Sequence, residues 1–289
     1  MSGETPDNVK RLRELIGPCE LCPRRCMVDR PAAKLGACHI GRDAIVASAG
    51  PHFGEEPVLV GTGGSGTIFF SGCNLDCVFC QNSDISHGRD GRAVSPAELA
   101  DIMLRLQSLG CVNVNFVTPT HVSHAVAEAV VLARRDGLRV PIVYNCGGYE
   151  AVTTLRLLEG LVEIYMPDFK WADARAGRKY SGVGDYPAAA GAALAEMYRQ
   201  VGPMETDGRG VMTRGVLVRH LVMPGDLAGS ETVIRTVARV APGAAMNVMA
   251  QYRPCFHAER YAELHGRPAA EELARLRRLA AALGLPRPE

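Results

Sequence analysis

The sequence predicts an α/β fold, a partial (β/α)6 barrel with a small cysteine-rich element in front of it. Two observations carry the prediction. From Thr67 onward, short strand-like runs alternate six times with stretches of helical periodicity. Before that point the alternation is missing, and seven of the ten cysteines crowd between Cys19 and Cys80. Alternating strands and helices imply a parallel sheet with crossovers of one hand and helices outside. Eight units would suggest a closed barrel; six suggest an open one.

The strand-like runs are Thr67–Ser71, Asn113–Val117, Pro141–Asn145, Glu163–Met166, Gly215–Val222 and Ala245–Ala250. The first helix has the clearest start. Ser95-Pro96-Ala97-Glu98 offers a capping hydroxyl, a first-turn proline and a glutamate able to close a capping box. Leu99, Ile102, Met103 and Leu106 then form one apolar face, and Gly110 stops the helix. Helical stretches follow at His124–Arg135, Val152–Leu161, Tyr186–Val201, Glu231–Val240 and Ala270–Leu283; in the last, Leu273, Leu276, Ala280 and Leu283 share a face. Pro51–Gly66 reads as a Gly-rich connector, so the expected division is 1–65 for the cysteine-rich element and connector, and 66–289 for the barrel. Ligands of such sheets collect at the carboxyl ends of the strands.

The 289 residues are 47% apolar and 22% charged, with a net charge of +1. Nothing here calls for nucleic acid or an anionic membrane. No apolar run approaches the roughly 18 residues of a spanning helix, and Met1 to Arg13 is too polar for a signal peptide. A cytoplasmic protein is expected. In that reducing setting, clustered cysteines point to metal or redox chemistry rather than disulfides. Cys111, Cys146 and Cys255 stand singly and read as small core residues.

Directly after the first strand runs Gly72-Cys73-Asn74-Leu75-Asp76-Cys77-Val78-Phe79-Cys80. Three thiolates on one tight loop can hold three irons of a 4Fe-4S cube and leave the fourth iron open. A closed zinc site would want four ligands. This spacing resembles the radical S-adenosylmethionine (SAM) superfamily, where SAM chelates the open iron. The resemblance places Phe79, before the third cysteine, beside the adenine.

The similarity extends along nearly the whole chain, most closely to the branch related to pyruvate formate-lyase activating enzyme, within a poorly characterised group. Gly64 to Cys73 and Phe79-Cys80-Gln81-Asn82 carry much of it. Further matches are Tyr144-Asn145-Cys146-Gly147-Gly148-Tyr149, Met166-Pro167-Asp168-Phe169-Lys170, the run Val218 to Gly225, and Asn247-Val248-Met249-Ala250-Gln251-Tyr252. The resemblance implies SAM contacts at Asn145, Asp168, Lys170 and Arg219. Acceptors at Asp168 and Asn145 suit the sulfonium and ammonium of SAM, and donors at Lys170 and Arg219 suit its carboxylate and hydroxyls. The bland alternative is a local ion pair at a strand end. One departure stands out. Where the family has Gly-Gly-Glu-Pro to receive the SAM ammonium, this chain reads Val117-Thr118-Pro119-Thr120-His121, leaving Thr118 and Thr120 hydroxyls and backbone carbonyls as acceptors. His121 reads as a substrate contact or simply as the start of a helix.

Cys19, Cys22, Cys26 and Cys38 supply four more thiols within twenty residues. They suit either tetrahedral zinc or an auxiliary 4Fe-4S cluster, and a core-poor segment of this size needs such a staple. His39 reads as an exposed polar neighbour.

The resemblance implies reductive cleavage of SAM to methionine and a 5′-deoxyadenosyl radical that abstracts hydrogen. It also implies an electron donor such as flavodoxin or ferredoxin, and a glycyl radical enzyme as the partner to be activated. Two alternatives stay open: radical modification of a small molecule or peptide, and an iron–sulfur electron carrier or redox sensor without turnover.

Overall fold

The computed structural model describes residues 5–289; the first residues of the polar N-terminal stretch, 1–4, lie outside the described residues. The N-terminal segment contains helix α1 (Asp7–Glu14), a cysteine-bearing coil, strand β1 (Ala44–His52) and the short helix α2 (Pro57–Val60). Then come β2 (Ser65–Phe70), α3 (Ser83–Gly88), β3 (Arg92–Val94), α4 (Pro96–Ser108), β4 (Val114–Val117), α5 (Ser123–Arg135), β5 (Ile142–Cys146), α6 (Val152–Leu157) and β6 (Ile164–Pro167). The chain ends with α7 (Ala174–Ser181), α8 (Tyr186–Val201), β7 (Glu205–Thr206), β8 (Met212–Leu221), α9 (Ser230–Val240), β9 (Ala245–Met249) and α10 (Ala270–Ala282).

All six expected strands form, as β2, β4, β5, β6, β8 and β9, and neighbours among them pair in parallel in that order. β9 and β2 do not pair, so the barrel stays open on that side. The α4 start behaves as its sequence requires. Ser95 Oγ accepts from the Glu98 N–H at 3.2 Å, and Glu98 accepts from the Ser95 N–H at 2.8 Å. Leu99, Met103 and Leu106 are buried against the sheet.

The N-terminal segment differs from the expectation in one respect. β1 pairs antiparallel with β2 from Val46–Phe70 to His52–Ser65, and β3 pairs with β1 on its far side. A division at 65/66 therefore cuts into β2 after its first residue and separates it from its partner β1. The Gly and Pro residues that suggest a connector instead carry the chain from β1 through the turn of α2 into β2.

That turn plugs the barrel. Val58 and Leu59 pack inside against Val143, Ile164, Leu217 and Ala245, at the amino ends of the strands. Each such side chain gains roughly 1.5–3 kcal/mol from burial. Asn113 Nδ2 donates to the Leu59 carbonyl at 2.8 Å, and Asn247 Nδ2 of β9 donates to Glu56 at 3.2 Å. The segment thus seals one end of the barrel and bridges its open side.

Candidate active site

At the other end, the β2–α3 loop holds Cys73, Cys77 and Cys80, and several contacts fix its path. Gly72 has φ +82°, and a Cβ there would lie 2.7 Å from the Cys38 carbonyl oxygen. Asn74 Nδ2 donates to the Tyr149 carbonyl at 2.7 Å, while the Asn74 carbonyl accepts from Arg24 Nε at 2.7 Å. The Asp76 and Val78 N–H groups donate to the carbonyls of Ser181 and Tyr180. Polar hydrogens also surround the sulfurs. Cys77 Sγ lies 3.1 Å from Ser181 Oγ, Cys80 Sγ 3.2 Å from Ser86 Oγ, and the Leu75 N–H 3.4 Å from Cys73 Sγ. Donors aimed at sulfur stabilise metal-bound thiolates.

The three cysteines line a pocket of about 280 Å³ together with Phe79, Thr118, Asn145, Asp168, Lys170 and Arg219. The structure thus gathers these sequence-predicted residues, from five segments, around one space. Lys170 Nζ donates to Asp168 Oδ2 at 2.6 Å, Arg219 Nε to Asp168 Oδ1 at 3.0 Å, and Arg219 Nη2 to Asn145 Oδ1 at 2.8 Å. Burial works to raise the Asp168 carboxyl, but Lys170 and Arg219 outweigh it and hold it below the ordinary range. Burial works to lower the Lys170 ammonium, and Asp168 reverses this. Asp168 is therefore an anion and Lys170 and Arg219 are cations across the neutral range. These are the local ion pairs of the bland reading, yet they stand on the wall of the pocket.

Strand-end packing sets this spacing. Gly148 has φ +76°, and a Cβ there would overlap the Asp168 carbonyl oxygen. Tyr186 Oη ties the same ends together, accepting from the Lys170 N–H at 2.9 Å and lying 2.8 Å from the Gly147 carbonyl. Phe79 is buried edge-on to Trp171, 5.6 Å between centroids, and to Tyr252. Thr118 has φ +59°, and its N–H donates to the Asn145 carbonyl at 2.8 Å. A β-branched residue in the left-handed region stores strain of about 1–3 kcal/mol, which the turn holds at the pocket wall.

Several functional candidates escape sequence reasoning. Glu150 is buried behind the Thr118 turn and accepts from Thr120 Oγ1 at 2.6 Å and Tyr144 Oη at 3.2 Å; burial pushes its carboxyl up to about 7. A carboxylate thus sits near the missing Gly-Gly-Glu, though it does not line the pocket. Glu55 reaches within 3.7 Å of Arg219 Nη1 from inside the barrel. In sequence, Glu55-Glu56-Pro57 looks like a solvated turn, and only the plug reveals its burial.

Cys19, Cys22, Cys26 and Cys38 line a second, smaller pocket against the cluster loop. His121 lies there too; its Nε2 donates to the Ser71 carbonyl at 2.8 Å, so it begins a helical turn without facing the main pocket. His39 is exposed, Cys111 and Cys146 are buried, and Cys255 is half-buried. Among the described residues, no three His, Cys, Asp or Glu side chains meet closely enough to share one metal ion. No helix among them is long and apolar enough to cross a membrane.

A family model described as the Radical SAM superfamily matches residues 67–167. The uncharacterized protein MJ0674 of Methanocaldococcus jannaschii is 31% identical over 280 residues, which cover 94% of this chain and 77% of that protein. The chain belongs to the radical SAM superfamily. A solved structure of TYW1 with a lysine-pyruvate adduct bound aligns over 75% of this chain and 73% of its own, with a TM-score of 0.42 and 10% identity, too loosely to inform the site. Membership of the radical SAM superfamily implies a 4Fe-4S cluster and SAM. The donor set suits them: three soft sulfurs on one loop, with hydrogen-bond donors at each, face a wall of mixed charge. In this radical SAM chain the family match ends at Pro167, so Asp168, Lys170 and Arg219 rest on pocket geometry and the sequence resemblance.

Proposed function

We propose that this chain is a radical SAM enzyme in which Cys73, Cys77 and Cys80 hold the cluster, while Asn145, Asp168, Lys170 and Arg219 bind SAM. One observation carries the assignment: these side chains share one pocket at the carboxyl ends of the strands. When bound, the cluster supplies the electron that splits SAM into methionine and a 5′-deoxyadenosyl radical, which takes hydrogen from the substrate. The chain's own residues orient and exclude. Asp168 offers an anion to the SAM cationic centres, and Lys170 and Arg219 offer donors to its carboxylate and hydroxyls. Thr118 and Asn145 contribute neutral acceptors. Phe79, fixed by Trp171 and Tyr252, supplies an apolar wall.

The finer reading is hydrogen abstraction from a glycyl residue that a partner enzyme inserts as a loop. Besides the sequence resemblance, the pocket mouth supports it. Gln81 and Gln251 stand exposed at its rim, with Asn82 beside them, and amide side chains pair naturally with a peptide backbone.

The test is anaerobic reconstitution with iron and sulfide, followed by assay for 5′-deoxyadenosine under a strong reductant. Wild type should cleave SAM, and a Cys73, Cys77 and Cys80 triple alanine variant should not. A reducible cluster without SAM cleavage would favour an electron carrier or sensor. For the partner, deuterium from α-deuterated glycine in the target loop should appear in 5′-deoxyadenosine; its absence would return the substrate to the small-molecule class.

A further inference from the structure

The second pocket lies where the N-terminal coil meets the barrel. Its most telling feature is Arg30, 1% exposed. Arg30 Nε and Nη2 donate to the Gly41 carbonyl at 2.9 and 2.6 Å, and Nη1 donates to the His121 carbonyl at 2.8 Å. The same Nη1 lies 3.8 Å from Cys19 Sγ. Among the described residues no carboxylate pairs with it. A buried cation without an anion costs several kcal/mol, so this site requires negative charge on the sulfurs. Four metal-bound thiolates supply it, whereas four thiols do not.

The sulfur surroundings agree. The Ala37 N–H lies 3.4 Å from Cys26 Sγ, and the N–H groups of Arg24 and Ile40 face Cys22 and Cys38. Gly36 is needed for this approach, since a Cβ there would sit 2.9 Å from Cys26 Sγ. The four sulfurs line one small pocket, as Cys73, Cys77 and Cys80 line the larger one. A single zinc draws its four ligands to one centre; a cube gives each thiolate its own iron.

The two cysteine loops also touch. Gly72, next to Cys73, packs on the Cys38 carbonyl, and Arg24, two residues after Cys22, holds the Asn74 carbonyl. Such contacts exceed what a local staple for the N-terminal coil requires.

We infer that Cys19, Cys22, Cys26 and Cys38 hold a second iron–sulfur cluster, counter-charged by Arg30, that passes single electrons to the cluster at Cys73 across the Cys38–Gly72 contact. In each transfer the second cluster is oxidised by one electron and the catalytic cluster is reduced by one. A one-electron donor of the flavodoxin or ferredoxin class then restores the second cluster. The destination of the electron rests on the function proposed above; the existence of the second cluster does not.

The experiment has two arms. In the first, the Cys73, Cys77 and Cys80 triple alanine variant is reconstituted anaerobically and analysed for metal, sulfide and paramagnetic resonance after reduction. About four irons and four sulfides per chain are expected, with a signal whose midpoint moves to more negative potential on Arg30→Gln. Should that variant not fold, Arg30→Lys, which keeps the cation, should hold the midpoint near the wild-type value, and a shift as large as complete loss of the charge would overturn the counter-charge role. One zinc and no sulfide would overturn the cluster. In the second arm, a variant with serine at all four N-terminal cysteines keeps the catalytic loop. Its SAM cleavage should fall at least tenfold with reduced flavodoxin as donor, yet stay within about twofold with dithionite, which reduces the catalytic cluster directly. Equal losses with both donors would overturn the relay and leave a structural centre. Cys38→Ser, with its iron count checked, replaces the quadruple variant if that one is insoluble. Failure of the catalytic reading looks different: wild type would contain both clusters and cleave no SAM with either donor.

Discussion

Asp168 joins two cations and the pocket at a single carboxylate. Its neutral replacement, Asp168→Asn, should weaken SAM binding at least tenfold while iron content holds, because the cysteine loop lies on other contacts. It should also cost about 1–3 kcal/mol of stability, since Lys170 and Arg219 lose their anion in a largely desolvated site. Lys170→Met should weaken SAM binding similarly. Equilibrium binding of SAM to reconstituted protein, read beside thermal unfolding, checks both; unchanged binding in both variants would leave these residues as structural ion pairs. Glu55 offers a test by pH. Burial pushes its carboxyl from an ordinary 4.5 up to about 7, against the pull of Arg219 and with help from Glu56. Between those values the folded chain keeps a proton that the unfolded chain has released, so this contribution is full below about 4.5 and is lost as pH rises through about 7. Glu55→Gln removes the dependence, and its stability relative to wild type should rise between about pH 5 and pH 8. Buried His121, His124 and His220 have the opposite sign, lowered by burial to about 4, 3 and 4. Their contribution is lost as pH falls, and the comparison of variant with wild type cancels it.

Strand ends and the turns after them determine where the pocket residues stand. The junction of β5 and β6 depends on Gly148, whose backbone conformation and close contact both exclude a side chain. Gly148→Ala should destabilise the fold by more than about 2 kcal/mol and weaken SAM binding, because Asp168 must shift. Gly110→Ala is the control: it has φ +88° with open space around it, so it should cost only the backbone term and leave SAM binding intact. Thermal unfolding and SAM affinity of the two variants separate the effects. At this scale much is legible from sequence, because the capping box of α4 and the six strand runs are local patterns. β1 is not. Its run Ala44–His52 contains Gly50 and Pro51, and only pairing with β2 makes it a strand. α7 escapes for a related reason: Ala174–Ser181 is polar, and it is held by the Asp173 cap and by contacts to the cysteine loop.

In the whole molecule, the cysteine loop is the easiest part to read, because three cysteines fall within eight residues. Asp168, Lys170 and Arg219 are readable through their place at the carboxyl ends of strands, a rule of the architecture rather than of the residues. Glu55, Glu56 and Glu150 are not readable. Their burial comes from long-range packing of α2 and of the N-terminal coil, and nothing in their neighbouring sequence distinguishes them from surface acids. The two sulfur sites likewise lie far apart in the chain's description of itself, as element and barrel, while Arg24 and Cys38 join them in space.

The plug formed by Val58 and Leu59 has a kinetic consequence. It fills the amino end of the barrel, so traffic is expected at the opposite mouth, by the rim of Gln81 and Gln251. Whatever binds deepest must arrive first and leave last. With SAM at Asp168 and Arg219 beneath that rim, as proposed above, it should load before the substrate, and a bound substrate should trap it. A dead-end substrate analogue should therefore inhibit uncompetitively with respect to SAM, lowering apparent KM and maximal rate together. Competitive or mixed inhibition would overturn this order of binding.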